Sequence, residues 1–365
     1  MNIHGGDIFG LARRLGCNAF DILDFSSNIS PIFTPGLKEI LCEAIKEICY
    51  LPDVQNLGIR RAMCRRYGLD EDCFWPGGGT TEFIYAIPKV FPKAQAVVPV
   101  PTYADYETAA KMAGMPVRLV EGQLNEEGMK GEEVLEAILN AINRPSLIFL
   151  CNPNNPTGLF LPRDSLFRAI LATSLDHLWV VDESYLQFVA EDDTESLLTA
   201  RPFPSNLLVL RSFSKIYAVP GLRLGCVVGD AAMIARLKQE VHIPWNVNRL
   251  AQVAGEYLLQ QKAHEAYVRG VCQGEKAFLL TQLKVCAPWL KEVPGQTHFF
   301  MLRLEQGFTA KEVVQFLNAR AVLVRDCGNF KGLNGKEYIR ISPRQRPDNQ
   351  RLIALFQEFA ASRIS

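Results

Sequence analysis

Leu207-Leu208-Val209-Leu210-Arg211-Ser212-Phe213-Ser214-Lys215, followed by Gly221-Leu222-Arg223-Leu224-Gly225, is the stretch on which the fold turns. The apolar run is short and β-compatible, as expected of a strand buried on both faces. Its polar residues are held back to the end. In an open α/β sheet, ligands bind beyond the carboxyl ends of the strands. Two hydroxyls, a lysine and an arginine gathered there are therefore site candidates. Taken singly, each also fits a turn or a solvated charge.

The same arrangement recurs on either side. Ser146–Cys151 runs into Asn152-Pro153-Asn154-Asn155-Pro156-Thr157-Gly158, and Leu178–Val181 runs into Asp182-Glu183-Ser184-Tyr185. Ala96–Val100, Val117–Val120 and Leu224–Gly229 are further short apolar runs. Between them lie helical patterns: Leu37, Ile40, Leu41, Ala44, Ile45 and Ile48 keep a spacing of three and four, and Pro76-Gly77-Gly78-Gly79-Thr80-Thr81-Glu82 opens another helix. Strands alternating with helices predict an α/β fold, a mostly parallel sheet sandwiched by helices. After about residue 245 the pattern changes. One long helix is expected from Val247 into the 270s, strands at Phe299–Leu304, Ala321–Arg325 and Glu337–Ser342, and helices at Thr309–Ala319 and from Pro347. This reads as a smaller α+β unit. The expected division is an arm over 1–34, a large domain over 35–245 and a small domain over 246–365.

Composition narrows the function. The 365 residues are 48% apolar and 21% charged, enough to bury a core without staples. Lys+Arg and Asp+Glu both number 39, so broad attraction to a polyanion is absent and no nucleic-acid partner is expected. No apolar run reaches the roughly 18 residues of a membrane span, and Met1-Asn2-Ile3-His4-Gly5-Gly6-Asp7 does not look like a leader. The ten cysteines include no C-x-x-C pair. They predict buried thiols in a reducing, cytoplasmic setting and no metal site.

Asn155-Pro156-Thr157-Gly158, then Asp182-Glu183-Ser184-Tyr185, then Ser212-Phe213-Ser214-Lys215 with Arg223-Leu224-Gly225 form a specific conjunction. In that order they resemble the fold-type I enzymes that use pyridoxal 5′-phosphate (PLP), in the histidinol-phosphate aminotransferase branch of the aminotransferase superfamily. The resemblance covers essentially the whole chain. It implies a PLP-dependent transferase fold. Lys215 would hold the cofactor aldehyde as an imine, and Asp182 would keep the ring nitrogen protonated. Asn155 and Tyr185 would bond the phenolic oxygen, Tyr106 would stack on the ring, and Gly79, Thr80, Thr81, Ser212, Ser214 and Arg223 would hold the phosphate. The physical reasoning agrees: PLP is an electron sink, a carboxylate favours the charged pyridinium, and a helix N-terminus suits an anion.

Three segments bear on the substrate. His4-Gly5-Gly6, Asp24-Phe25-Ser26-Ser27-Asn28-Ile29-Ser30-Pro31, and the pair Val324-Arg325-Asp326 and Tyr338-Ile339-Arg340-Ile341 resemble the members of the branch that decarboxylate phosphothreonine. The resemblance implies that His4, Gly5, Asn28 and Arg325 bind a substrate phosphate and that Arg340 binds its α-carboxylate. The guanidinium fork matches both anions. The expected reaction is decarboxylation of O-phospho-L-threonine to (R)-1-aminopropan-2-yl phosphate and CO₂ in cobalamin biosynthesis. Histidinol-phosphate-type transamination and decarboxylation of O-phospho-L-serine are the alternatives. A homodimer is implied. In relatives a tyrosine directly before Pro-Asp reaches the partner's cofactor phosphate, whereas Tyr50-Leu51-Pro52-Asp53 places Leu51 in that slot.

Overall fold

The computed structural model describes residues 5–241, 243–333, 335 and 337–363. Its centre is a seven-stranded sheet in the order Phe74–Gly77, Gly225–Gly229, Leu207–Ser212, Leu178–Asp182, Ser146–Cys151, Gln95–Val100, Val117–Glu121. The last five run parallel, and Gly225–Gly229 is antiparallel to both its neighbours. Six of the seven strands are buried throughout, as helices on both faces require. The edge strand Val117–Glu121 is half exposed and carries Arg118 and Glu121, charges that discourage further pairing.

Register aligns the carboxyl ends. Cys151 pairs with Asp182, and Asp182 with Leu210. The loops that follow these strands therefore leave from one edge, and they carry Asn155, Tyr185 and Lys215 to one place.

A second sheet, wholly antiparallel, runs Leu290–Val293, Phe300–Leu304, Tyr338–Ile341, Arg325–Asp326. It packs its own core of Phe300, Leu302, Ile339, Ile341 and Phe356. Leu23–Asp24 pairs in parallel with Val322–Leu323 in a separate two-stranded sheet, which ties the N-terminal arm to the segment that leads into Arg325–Asp326.

The structure differs from the sequence reading at several places. Phe74–Gly77 is an additional strand at the sheet edge, where its proline is tolerated. The long helix expected from Val247 is two, Arg249–Leu258 and Lys262–Cys286. The run 321–325 is split between two partners, Val322–Leu323 joining Leu23–Asp24 and Arg325–Asp326 joining Tyr338–Ile341. Finally, Val247, Ala251, Ala254, Leu258, Val268 and Cys272 lie in the larger core, past the boundary drawn at 245. Among the described residues no helix is long and apolar enough to cross a membrane, and no group of three or more His, Cys, Asp or Glu side chains could hold a metal ion.

Candidate active site

Two adjoining cavities open at the carboxyl edge of the large sheet. The first is lined by Gly79, Thr80, Thr81, Tyr106, Asn155, Asp182, Tyr185, Ser212, Ser214, Lys215 and Arg223, together with Tyr103, Cys151 and Ser184. The second is lined by Gly5, Asn28, Arg325 and Arg340 with Ser26, Ser27, Asn329 and Phe330, and shares Tyr103, Asn155, Tyr185 and Lys215 with the first. Every candidate residue named from the sequence lines one of them except His4, which lies outside the described residues.

Asp182 ends its strand with both carboxylate oxygens accepting hydrogen bonds and Oδ2 able to accept another. Ser184 donates to Oδ1 through its N–H at 2.9 Å and its hydroxyl at 2.5 Å, and the Tyr106 hydroxyl donates to Oδ2 at 2.9 Å. Burial raises the carboxyl's pKa, against these donors and the charge of Lys215. The neighbouring Glu183 turns away into structure. It accepts from Ser196 Oγ, Leu197 N and Arg211 Nη1, so only the aspartate of that pair faces the cavity.

Lys215 borders both cavities. Burial, then Arg340 and Arg223, push its amine down to about 8, against Asp182 and Asp24. A lysine brought into this range is a nucleophile near neutral pH.

The anion end is built on a helix terminus. Thr80–Val90 starts at Gly79, whose φ of 96° suits glycine alone and whose added Cβ would lie 2.6 Å from Arg223 Nη2. The first-turn N–H groups of Thr80 and Thr81 have no partner inside the helix and border the cavity beside Ser212, Ser214 and Arg223.

The Asn152–Gly158 loop is locked by its other amides. Asn152 exchanges hydrogen bonds with Leu161 N and O, and Asn154 binds Pro101 O and Thr102 Oγ1. That leaves Asn155 to face the site, where its Oδ1 accepts from Arg340 Nη1. Arg340 also donates to Ser26 O at 2.7 Å and lies over the Phe299 ring. Arg325 donates to Asn329 Oδ1 at 2.7 Å and lies over Phe330. Arg325 and Arg340 are direct cross-strand partners, 7% and 4% exposed. Burial, and for Arg325 the nearby Arg340 charge, lower their pKa values. Like charges placed opposite each other on a sheet destabilise it. Arg340 Nε and Asn28 Oδ1 are buried without a protein partner among the described residues.

Tyr106, expected to stack on a ring, has one face on Phe149 at 5.2 Å, and its hydroxyl is committed to Asp182. Tyr103, which the sequence reading passed over, borders both cavities. Its position just past a strand end was the available signal. Ser26, Ser27, Ser184 and Asn329 were also missed; only the loop positions of these common turn residues could have pointed to them.

A family model for class I and II aminotransferases matches residues 37–356. The chain belongs to that family. It is 33% identical over 358 residues to the threonine-phosphate decarboxylase of Salmonella typhimurium, covering 96% of this chain and 94% of that protein. It is 31% identical to the histidinol-phosphate aminotransferase of Moorella thermoacetica, covering 98% and 90%. The solved structure of L-threonine-O-3-phosphate decarboxylase from Porphyromonas gingivalis superposes with a TM-score of 0.77 at 27% identity, covering 91% and 98%. The fold is the PLP-dependent transferase fold, and the chain is a member of a PLP-dependent enzyme class. The first cavity fits the cofactor: an amine, a buried carboxylate and a helix-terminal anion cradle border one space.

Proposed function

We propose that the protein is a PLP-dependent carboxy-lyase that converts O-phospho-L-threonine to (R)-1-aminopropan-2-yl phosphate and CO₂ in cobalamin biosynthesis. The observation that carries this reading is the opposed pair Arg325 and Arg340, both buried beside Lys215. Two cations forced together at a cost in stability call for a substrate with two anionic ends. Arg340 takes the carboxylate. Arg325, with Asn28 and the Gly5 amide, takes the phosphate, and His4 belongs to the same set.

In this reading Thr80, Thr81, Ser212, Ser214, Arg223 and the Gly79 turn hold the cofactor phosphate. Asp182 would bond the ring nitrogen, Asn155 and Tyr185 would serve the phenolic oxygen, and Tyr103 and Tyr106 both border the space for the ring. Bound PLP supplies the sink for the electron pair left when the bond to the carboxylate breaks. The arginine pair would hold the substrate by its two anionic ends and so favour cleavage of this bond over Cα–H. Lys215, which borders both cavities, would hold and return a proton at Cα.

The exposed apolar side chains Ile45, Ile48, Tyr50, Leu51 and Val54, 55–72% accessible in the single chain, are read as the contact with a second copy in a homodimer. All ten cysteines are free, which fits a cytoplasmic location.

The test supplies phosphothreonine to the PLP-loaded enzyme without any keto acid and measures CO₂. Release of CO₂ and the amine phosphate is expected. Product formed only on addition of a keto acid would mean transamination, the reading that the likeness to histidinol-phosphate aminotransferase supports. The same assay with phosphoserine measures discrimination of one methyl group, worth about 1–3 kcal/mol.

A further inference from the structure

Asp24 stands outside the residues given a role above, yet its side chain organises the loop that meets most of them. Oδ1 accepts from Ser26 N at 2.8 Å, Ser26 Oγ at 2.6 Å and Ser27 N at 3.2 Å, and Oδ2 accepts from Ser27 Oγ at 2.5 Å. These four local bonds engage both oxygens of the carboxylate and fold residues 24–27 into a tight turn.

The turn and the residues that follow it, 24–30, reach outward in four directions. Ser26 Oγ accepts from Gly6 N at 2.8 Å, and an added Cβ on Gly5 would lie 2.2 Å from Ser26 O, so the arm lies flat against the turn. Ser26 O accepts from Arg340 Nη2 at 2.7 Å. Asn28 Nδ2 donates to Tyr185 Oη at 3.3 Å. Ser30 N donates to Lys215 O at 3.0 Å. The base of the loop is pinned to the small sheet by Phe25 N to Leu323 O and Ser342 N to Phe25 O.

We propose that Asp24 is a positioning residue: its carboxylate folds residues 24–27 into the turn that begins a brace, residues 24–30, and this brace fixes Arg340, Tyr185, the Lys215 backbone and the Gly5–Gly6 arm in one arrangement and thereby sets affinity for the doubly anionic substrate. The substrate part of this inference rests on the function proposed above. The Asp24 charge also acts directly on the site, since it opposes Arg340 and Arg223 at Lys215 and adds to Asp182 there.

Asp24→Asn keeps the shape and removes the charge. It is tested as the PLP-loaded enzyme in four measurements. The KM for phosphothreonine rises about tenfold while kcat changes less than about threefold, the signature of lost uniform binding. The pH midpoint of the visible chromophore that PLP forms with Lys215 falls, because a negative charge near the amine is gone. Trypsin cuts after Arg13 or Arg14 several-fold faster: both are exposed but lie within the helix Ile8–Leu15, so cleavage reports local release of the arm. The melting temperature stays within a few degrees. Ser26→Ala, which removes the Gly6 contact but not the charge, speeds trypsin cleavage and leaves the chromophore midpoint in place.

A wild-type KM, midpoint and cleavage rate in Asp24→Asn overturn the proposal. So does a joint fall of kcat and melting temperature with an unmoved midpoint, which would mark a merely structural residue. If Asp24→Asn does not fold, wild-type cleavage of Ser26→Ala overturns it. If the parent enzyme releases no CO₂ from phosphothreonine, the proposed reaction fails by itself, and the chromophore and trypsin measurements still judge Asp24.

Discussion

Tyr106 donates its hydroxyl hydrogen to Asp182 Oδ2 at 2.9 Å, both side chains being buried, while Ser184 occupies Oδ1. The aspartate thus reaches the cavity with its orientation held by three donors. A carboxylate meant to hold a ring nitrogen gains from such support, since hydrogen bonds to its charged form offset part of the burial that raises its pKa. Tyr106→Phe keeps the ring on Phe149 and deletes one donor. A hydrogen bond to a charged group is worth about 1.5–3 kcal/mol, so kcat/KM should fall about tenfold and PLP should bind more weakly. Steady-state kinetics and cofactor titration check this; unchanged values in both would show that the tyrosine hydroxyl does not support the carboxylate.

Lys215 should control cofactor loading through its own protonation. With its pKa at about 8, the amine is about one-tenth neutral at pH 7, against less than about one-thousandth at an ordinary lysine value. The rate at which apoprotein takes up PLP should climb with pH up to about 8 and then level. A profile that levels only near pH 10 would contradict the depressed value. Lys215→Ala should lose both the yellow colour and turnover, and colour persisting in that variant would reject the assignment. The sign for stability follows. Between about 8 and the unfolded value near 10.4 the folded apoprotein binds fewer protons than the unfolded chain, so this group's contribution grows with rising pH and is lost as pH falls through about 8.

Arg66, Glu265 and Tyr217 form a buried cluster behind the lysine loop. Arg66 donates to both oxygens of Glu265 at 2.7 and 2.6 Å, and the Tyr217 hydroxyl donates to Glu265 as well. Glu265→Gln leaves the guanidinium buried without its counter-charge, and breaking such a pair costs about 3–5 kcal/mol. Urea denaturation of apoprotein should show a loss of that order. A loss below about 1 kcal/mol would place the pair among weak surface bridges.

Arg325→Ala should raise KM far more for phosphothreonine than for unphosphorylated threonine. Removing a charge-assisted contact of this kind costs about 1.5–3 kcal/mol, or roughly 10- to 100-fold in KM. Competition by inorganic phosphate should weaken in parallel. Equal changes for the two substrates would remove the phosphate role.

Leu51→Asp places a charge in the exposed apolar strip that contains Ile48, Tyr50 and Val54. Sedimentation of the PLP-loaded enzyme should show a shift from dimer to monomer for this variant. A parent protein that is already monomeric would eliminate the dimer reading.

Much of this architecture was visible before any coordinates. The parallel strands announced themselves because each is a short apolar run that ends in polar residues, and burial on both faces demands that composition. The motif residues at their ends were legible only together: each alone fits a turn, a helix cap or a solvated charge, and it is their order along the chain that carries the resemblance. Other elements gave no such signal. Phe74–Gly77 contains proline and glycine and reads as a turn until an edge position explains it. Nothing within Gly225–Gly229 encodes its antiparallel direction. The helix expected from Val247 divides at Leu259–Gln261, residues that favour a helix as much as their neighbours do, so packing sets the break: Leu258 and Leu259 are both buried, and the second helix carries Glu265 to Arg66.

The sequence by itself determined the layered α/β plan and the order of the strand-end motifs, and the resemblance carried by that order is what proposes Lys215 as the cofactor lysine. The plan lives in hydrophobic period and residue type, which neighbouring residues express locally. Only the tertiary structure decided that Arg325 faces Arg340, that Tyr106 bonds Asp182 and Tyr103 borders both cavities, and that the loop after Asp24 meets Lys215 through Ser30 N. Each of these depends on register or chain path between segments far apart in sequence, and local patterning does not encode which of two nearby tyrosines, or which of several loops, will be carried to the same few ångströms.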